Sequence, residues 1–187
     1  MNRYFLHLPN FLTGLRLAAV PVLALLVSSG RYGEAFAVFV FAGISDAADG
    51  FLAKRFGLTT VFGRFLDPAA DKLLMLASFL ALTAAGAVPV WLTALVIGRD
   101  IGIVFGAFLA WAVDLPLKLA PSQLGKISTA VQIGYIALVL SFLLFGLDLP
   151  ATSAAAAVLV GAATLVSGVS YAALWLRALA RAASRTA

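Results

Sequence analysis

The sequence has no cysteine, only one histidine and few charges, which make up 11% of its 187 residues. The lack of cysteine excludes disulfides, thiolate metal sites and cysteine nucleophiles, and a single histidine removes most histidine-based catalysis. Soluble domains carry about 25% charged residues. Because 63% of the residues are apolar and the mean hydropathy is +1.07, the composition indicates an integral membrane protein.

Apolar residues are grouped into segments separated by glycine- and proline-containing turns. There are six such segments: 11–29, 35–53, 68–87, 90–112, 127–147 and 151–176. Each is close to the roughly 20 residues that a transmembrane helix needs. We therefore predict an all-α integral membrane bundle of six transmembrane helices, forming a single domain over residues 1–187.

Lysine and arginine are unevenly distributed among the connections. They occur at the N-terminus, in the second and fourth connections and in the C-terminal tail, whereas the alternate connections hold only Arg31. Since short cytoplasmic loops retain basic residues, both termini are predicted to be cytoplasmic. These charges lie at helix ends, which favours membrane lipids and phosphorylated substrates as partners and argues against nucleic acid.

Four of the eight acidic residues lie within residues 46–71, namely Asp46, Asp49, Asp67 and Asp71. Spacings of three and four place each pair on one face of a helix. The short connection between the pairs predicts that they come together at the cytoplasmic side. Asp67-Pro68 is typical of a helix start with Asp67 as the cap, although a helix that begins earlier is also compatible with the sequence.

Converging carboxylates repel one another unless cations neutralise them. Oxygen ligands without cysteine or a nearby histidine favour a hard ion such as Mg²⁺ or Mn²⁺. Gly50, Ala53 and Gly63 would let a ligand approach the backbone, and Lys54 and Arg64 supply positive charge for phosphate. The pattern predicts a metal-phosphate site; a solvated loop with helix caps is the structural alternative, but it does not require this spacing.

The arrangement D-x2-D-G-x2-A-K-x8-G-x3-D-x3-D, from Asp46 to Asp71, resembles the signature of the CDP-alcohol phosphatidyltransferase family at every spacing. Lys54 stands where the family usually has arginine. The resemblance extends to the six-segment layout and to an N-terminal Pro9-Asn10-x-Leu12-Thr13-x2-Arg16.

The resemblance implies transfer of a phosphatidyl group from CDP-diacylglycerol to an alcohol, with release of CMP and with two divalent cations, Mg²⁺ or Mn²⁺. It implies that Asp71 is a metal ligand or the general base and that Asp46, Asp49 and Asp67 hold the metals. The CDP-binding residues that it implies are Asp46, Asp49, Gly50, Ala53, Lys54, Gly63 and Asp67.

A homodimer is also compatible with the resemblance. Gly98, Gly102 and Gly106 form a GxxxGxxxG pattern in the fourth segment. Such a face serves either packing within one chain or a seam between two.

The basic residues predicted to bind the acceptor are Arg16, Arg64, Arg99, Lys118 and Lys126. For Arg99, a structural ion pair with Asp100 is an equally good interpretation. The apolar stretch after Asp100 and the sequence GKISTAVQ resemble the two-metal cardiolipin synthases of the family. Phosphatidylglycerol is therefore the predicted acceptor, and glycerol 3-phosphate, the acceptor of phosphatidylglycerophosphate synthases, is the alternative.

A cation transporter and a non-catalytic membrane scaffold are two alternative classes of protein. A cation transporter would carry its aspartates at mid-bilayer on broken helices, whereas these cluster near one interface. A non-catalytic scaffold gives no reason for the Asp-Gly spacing. An enzyme is the predicted class.

Overall fold

A computed structural model describes the backbone of residues 8–56, 61–112 and 122–186, and the side chains of residues 13–46, 69–110, 112 and 122–177. Within these ranges the protein contains helices and no strands, which confirms the predicted all-α class. The helices are α1 (Leu8–Ser28), α2 (Tyr32–Phe56), α3 (Val61–Ala84), α4 (Val90–Ala112), α5 (Gln123–Phe145) and α6 (Pro150–Thr186).

Glycine in the left-handed conformation follows three of these helices. Gly30, Gly86 and Gly146 have φ angles of 70°, 76° and 62° after α1, α3 and α5. A residue without Cβ adopts this conformation without steric cost, so each helix can end in a tight turn. Pro150 then opens α6 at a position where its missing N–H removes no intrahelical bond.

The sequence allowed α3 to start at Asp67-Pro68 or earlier, and the structure agrees with the earlier start. The helix begins at Val61, so Asp67 and Pro68 lie inside it and the prediction that Asp67 caps the helix is wrong. The physical reason is that the largely apolar stretch before Asp67 continues the hydrophobic helix, and the hydrogen bond lost at Pro68 does not break it. The interpretation with an earlier start is correct. Both pairs of aspartates therefore lie in helices, on α2 and α3.

One packing unit comprises Met1–Val88 and Ile136–Leu149. In it α1 packs against both α2 and α3. The buried side chains of α1 include Thr13, Arg16, Leu23 and Val27, whose spacing defines one helix face. That face carries Arg16 into contact with the two acid-bearing helices.

The second packing unit comprises Pro89–Tyr135 and Pro150–Ala187, and in it α4 packs against α6. A Cβ atom on Gly106 would lie 2.8 Å from Nε1 of Trp175, so this glycine makes room for an α6 side chain. At Gly98 and Gly102 a Cβ atom would meet nothing within 4 Å. Only Gly106 of the glycine pattern thus serves packing within the described part of the chain.

Within the part of the chain that the structure describes, three helices are long and apolar enough to cross a membrane: Val90–Ala110, Gln123–Phe145 and Pro150–Arg177. A shorter apolar helix spans Thr13–Ser28. Many large apolar side chains point outward, as expected of helices in contact with lipid. These features agree with the membrane protein that the composition indicates.

The core of α3 offers a matched pair for testing this packing. Leu82 is completely buried and Leu80 on the same helix is 49% exposed. We expect Leu82→Ala to lower the stability of the purified protein in detergent by about 2–5 kcal/mol because it leaves a cavity, and Leu80→Ala to change it much less. Thermal denaturation followed by circular dichroism measures both; an equal loss in the two variants would contradict the burial pattern.

Candidate active site

Helices α1, α2 and α3 bring one arginine and two of the four aspartates together. Nη2 of Arg16 lies 2.9 Å from Oδ1 of Asp46, and Nη1 of Arg16 lies 2.8 Å from Oδ1 of Asp71. The Arg16 side chain is 1% exposed, whereas those of Asp46 and Asp71 are 45% and 44% exposed. The guanidinium is thus buried beneath two carboxylates that remain open on their other side.

Small residues next to the aspartates let the helices approach closely. Ala42, one turn before Asp46, is 3% exposed, and Ala70, immediately before Asp71, is completely buried. Because these side chains are single methyl groups, α2 and α3 can both pack near α1. The reach of an arginine side chain from α1 is then enough to contact both acids.

The chemistry of the Asp46–Asp71 pair fits a divalent cation. Carboxylate oxygens are the ligands that Mg²⁺ and Mn²⁺ prefer, and these two carboxylates already bind the same cationic group. Among the described residues, no group of three or more acidic or histidine side chains is placed to hold a metal. Asp49 and Asp67, the other two predicted ligands, have side chains that lie outside the described residues.

The side chains of most other predicted site residues also lie outside the described residues. Asp49, Gly50, Ala53 and Lys54 belong to α2, and Gly63, Arg64 and Asp67 belong to α3, but their side chains are not among those described. Lys118 lies outside the described residues altogether. The roles predicted for all of these residues stay predictions.

An apolar cavity of about 410 Å³ lies between α1 and α2. Leu15, Val22 and Phe41 are among its lining residues, and Arg16 and Ser45 are the polar residues that line it among those the structure describes. Ser45 immediately precedes Asp46 in the sequence. The cavity therefore joins an apolar surface to the side chain that holds the two aspartates.

A second polar cluster lies in the other packing unit. Nη1 of Arg99 is 2.6 Å from Oδ1 of Asp100, and Nη2 of Arg99 donates a hydrogen bond of 2.7 Å to Oγ of Ser167. The ring of Tyr171 lies 5.8 Å from the guanidinium carbon, within reach of a cation–π interaction. With its side chain 7% exposed, Arg99 forms the ion pair that the sequence allowed for.

The N-terminal end of α5 is hydrogen-bonded to this cluster. Ser122 is the N-cap residue of α5, because its Oγ accepts a 3.0 Å hydrogen bond from the Gly125 N–H. The Ser122 N–H in turn donates a 3.2 Å hydrogen bond to Oη of Tyr171. A Cβ atom on Gly125 would lie 3.2 Å from Nη2 of Arg99, so glycine permits the close approach. The next residue, Lys126, is exposed.

Sequence reasoning missed Ser167 and Tyr171. Both lie on α6, far along the chain from Arg99, in a segment that reads only as an apolar helix. No motif or spacing links them to Arg99, so only the packing of α6 against α4 reveals the cluster.

Comparison with known proteins identifies the class to which this fold and site belong. The family model for CDP-alcohol phosphatidyltransferases matches residues 6–170. The chain belongs to the CDP-alcohol phosphatidyltransferase family, as its aspartate motif predicted, and it is therefore an enzyme of phospholipid synthesis. Membership of this family argues against the transporter and scaffold alternatives.

Relatives within the family carry two different names. A probable phosphatidylglycerophosphate synthase of Mycobacterium tuberculosis is 39% identical, over 91% of this chain and 82% of the relative. A probable cardiolipin synthase (CMP-forming) of Drosophila melanogaster is 32% identical, over 88% of this chain and 56% of the relative. A cardiolipin synthase/mitochondrial hydrolase fusion protein of Schizosaccharomyces pombe is 31% identical, over 88% of this chain and 30% of the relative.

The Arg99 cluster yields a stability prediction. Tyr171→Phe keeps the ring beside Arg99 but removes the oxygen that accepts the Ser122 N–H, so we expect a loss of about 1 kcal/mol. Tyr32→Phe is the matched control, since the Tyr32 hydroxyl makes no hydrogen bond to the described residues. Thermal denaturation in detergent compares the two; equal stability would show that the Ser122 bond contributes nothing.

Proposed function

We propose that this protein transfers the phosphatidyl group of CDP-diacylglycerol to the hydroxyl group of phosphatidylglycerol and releases CMP, as a cardiolipin synthase does. The main support for the site is that Asp46 of α2 and Asp71 of α3 both contact the guanidinium group of Arg16. We further propose six transmembrane helices, with both termini and the aspartates on the cytoplasmic side. The distribution of lysine and arginine supports this orientation.

In this proposal two divalent cations, Mg²⁺ or Mn²⁺, are held by Asp46, Asp49, Asp67 and Asp71. When bound, such ions stabilise the charge that develops on the attacking and leaving oxygens. The residues that we propose to hold the CDP group are Asp46, Asp49, Gly50, Ala53, Lys54, Gly63 and Asp67. Lys54 supplies a point charge to phosphate, where an arginine would bind two oxygens at once.

The transfer itself is a direct displacement at phosphorus. The hydroxyl oxygen of the acceptor forms a bond to the phosphorus that carries diacylglycerol, and the bond from this phosphorus to the CMP oxygen breaks. The hydroxyl proton passes to the Asp71 carboxylate, which is 44% exposed and so accessible to an acceptor. CMP leaves with the electron pair of the broken bond.

The apolar cavity between α1 and α2 supports a lipid donor. Its walls are almost entirely hydrocarbon and it reaches Arg16, which contacts Asp46. An acyl chain placed there would be shielded from water while its headgroup lies at the aspartates. We propose the cavity as a binding place for one acyl chain of CDP-diacylglycerol.

The surface of α4 supports a lipid acceptor. Beyond Asp100 the helix exposes Ile101, Val104, Phe105 and Phe108. A lipid such as phosphatidylglycerol can pack its chains against such a surface, whereas a small water-soluble acceptor gains nothing from it. Of the five basic residues that the sequence offers for the acceptor phosphate, we propose Arg64, Arg99, Lys118 and Lys126.

Glycerol 3-phosphate is the second candidate acceptor. It is favoured by the mycobacterial relative named as a probable phosphatidylglycerophosphate synthase, which matches over 91% of this chain. A homodimer is also proposed. A Cβ atom added at Gly98 or Gly102 would meet nothing within 4 Å among the described residues. Part of the glycine face of α4 is therefore open to a second copy of the chain.

The proposed base and metal ligand can be tested with an Asp→Asn pair. We expect Asp71→Asn to reduce CMP release from CDP-diacylglycerol by about two to four orders of magnitude, because the amide can neither take the proton nor bind a cation as a carboxylate does. Asp148→Asn makes the same chemical change at an exposed residue outside the site and should retain activity. Full activity of a folded Asp71→Asn variant would contradict the assignment.

The acceptor is tested by offering phosphatidylglycerol and glycerol 3-phosphate in separate reactions with CDP-diacylglycerol and Mn²⁺. We expect CMP and cardiolipin from phosphatidylglycerol alone. Product identity is read by mass spectrometry, with Asp71→Asn as the blank. CMP and phosphatidylglycerophosphate from glycerol 3-phosphate alone would replace the acceptor while leaving the rest of the proposal intact.

A further inference from the structure

We infer that Arg16 is a positioning residue of the metal site and does not bind the acceptor: it holds Asp46 and Asp71 at the separation that a bound cation needs. The inference rests on the proposed metal-dependent transfer. It reassigns a residue that the sequence alone placed among the acceptor-binding candidates.

Burial separates the two roles of Arg16. Its side chain is 1% exposed, and both terminal nitrogens of its guanidinium lie within 3 Å of a carboxylate oxygen. An acceptor phosphate that bound the two terminal nitrogens would have to displace Asp46 and Asp71 from them. The two carboxylates, by contrast, are nearly half exposed and are the groups that a ligand arriving from outside meets first.

These two contacts do not prevent the carboxylates from binding a metal. Each of the two uses Oδ1 of its aspartate, and a carboxylate offers two oxygens with about four acceptor positions in all. A guanidinium and a cation can therefore bind the same carboxylate from different sides. Outer groups that hold metal ligands in this way orient them and raise affinity.

The planar guanidinium fork suits this role better than a point charge. Arg16 uses one terminal nitrogen for each carboxylate, so the spacing between its two nitrogens sets how far apart Asp46 and Asp71 lie. These acids belong to α2 and α3, and α1 packs against both helices. Without the bridge, repulsion between the two carboxylates would drive them apart.

The experiment measures Mn²⁺ binding to the purified full-length chain in detergent by electron paramagnetic resonance, without substrate or turnover. We compare the unmodified protein with Arg16→Met, which keeps the length but loses the charge, and Arg16→Lys, which keeps the charge but loses the fork. We expect Mn²⁺ binding to weaken by about 10- to 100-fold in Arg16→Met and by a smaller factor in Arg16→Lys. Arg99→Met removes another buried arginine that pairs with an aspartate, and its Mn²⁺ affinity should stay unchanged.

The sign of the effect decides the interpretation. If Arg16 only repelled the metal, its removal would tighten Mn²⁺ binding, and that result would overturn the inference. Unchanged affinity in Arg16→Met, together with a raised KM for the acceptor, would restore the acceptor role. Size-exclusion chromatography checks folding; if Arg16→Met does not fold, unchanged Mn²⁺ affinity in a folded Arg16→Lys variant overturns the inference. A lack of Mn²⁺ binding by the unmodified chain would remove the proposed metal chemistry itself.

Discussion

The ion pairs of Arg16 with Asp46 and Asp71 are the interaction on which the first packing unit depends. A buried charge in an apolar helix bundle is costly unless oppositely charged groups surround it. Here the cost is offset by two carboxylates from two different helices. Because both partners must be in place, α1, α2 and α3 are constrained to one arrangement, and that arrangement creates the candidate active site.

The second unit stabilises a buried arginine in a different way. Arg99 pairs with Asp100, its neighbour in the sequence, and then bonds to Ser167 on α6. The charge is thus neutralised within one helix, and the neighbouring helix contributes a hydroxyl and an aromatic ring. Such an arrangement links helices without exposing a pair of carboxylates, which is consistent with a structural contribution from Arg99 alongside any role toward the acceptor.

In our proposal, the chemistry common to the family and the choice of acceptor depend on different parts of the molecule. We assign the displacement to the aspartates of α2 and α3. We assign the preference for a lipid acceptor to surroundings that include the apolar exposed face of α4 beyond Asp100. A relative named as a phosphatidylglycerophosphate synthase and one named as a cardiolipin synthase both align over most of this chain. Overall sequence similarity therefore identifies the type of reaction but not the acceptor alcohol.

The sequence by itself determined the all-helical class, the approximate helix positions and the family, because apolar segments, turn glycines and the aspartate spacing are local features. It left the start of α3 open, since Asp67-Pro68 is compatible with a cap or with the helix interior. Only the tertiary structure decided that Arg16 lies beneath Asp46 and Asp71, and that Ser167 and Tyr171 surround Arg99. These contacts join residues far apart in the chain, and their geometry depends on how α1 packs on α2 and α3 and how α4 packs on α6.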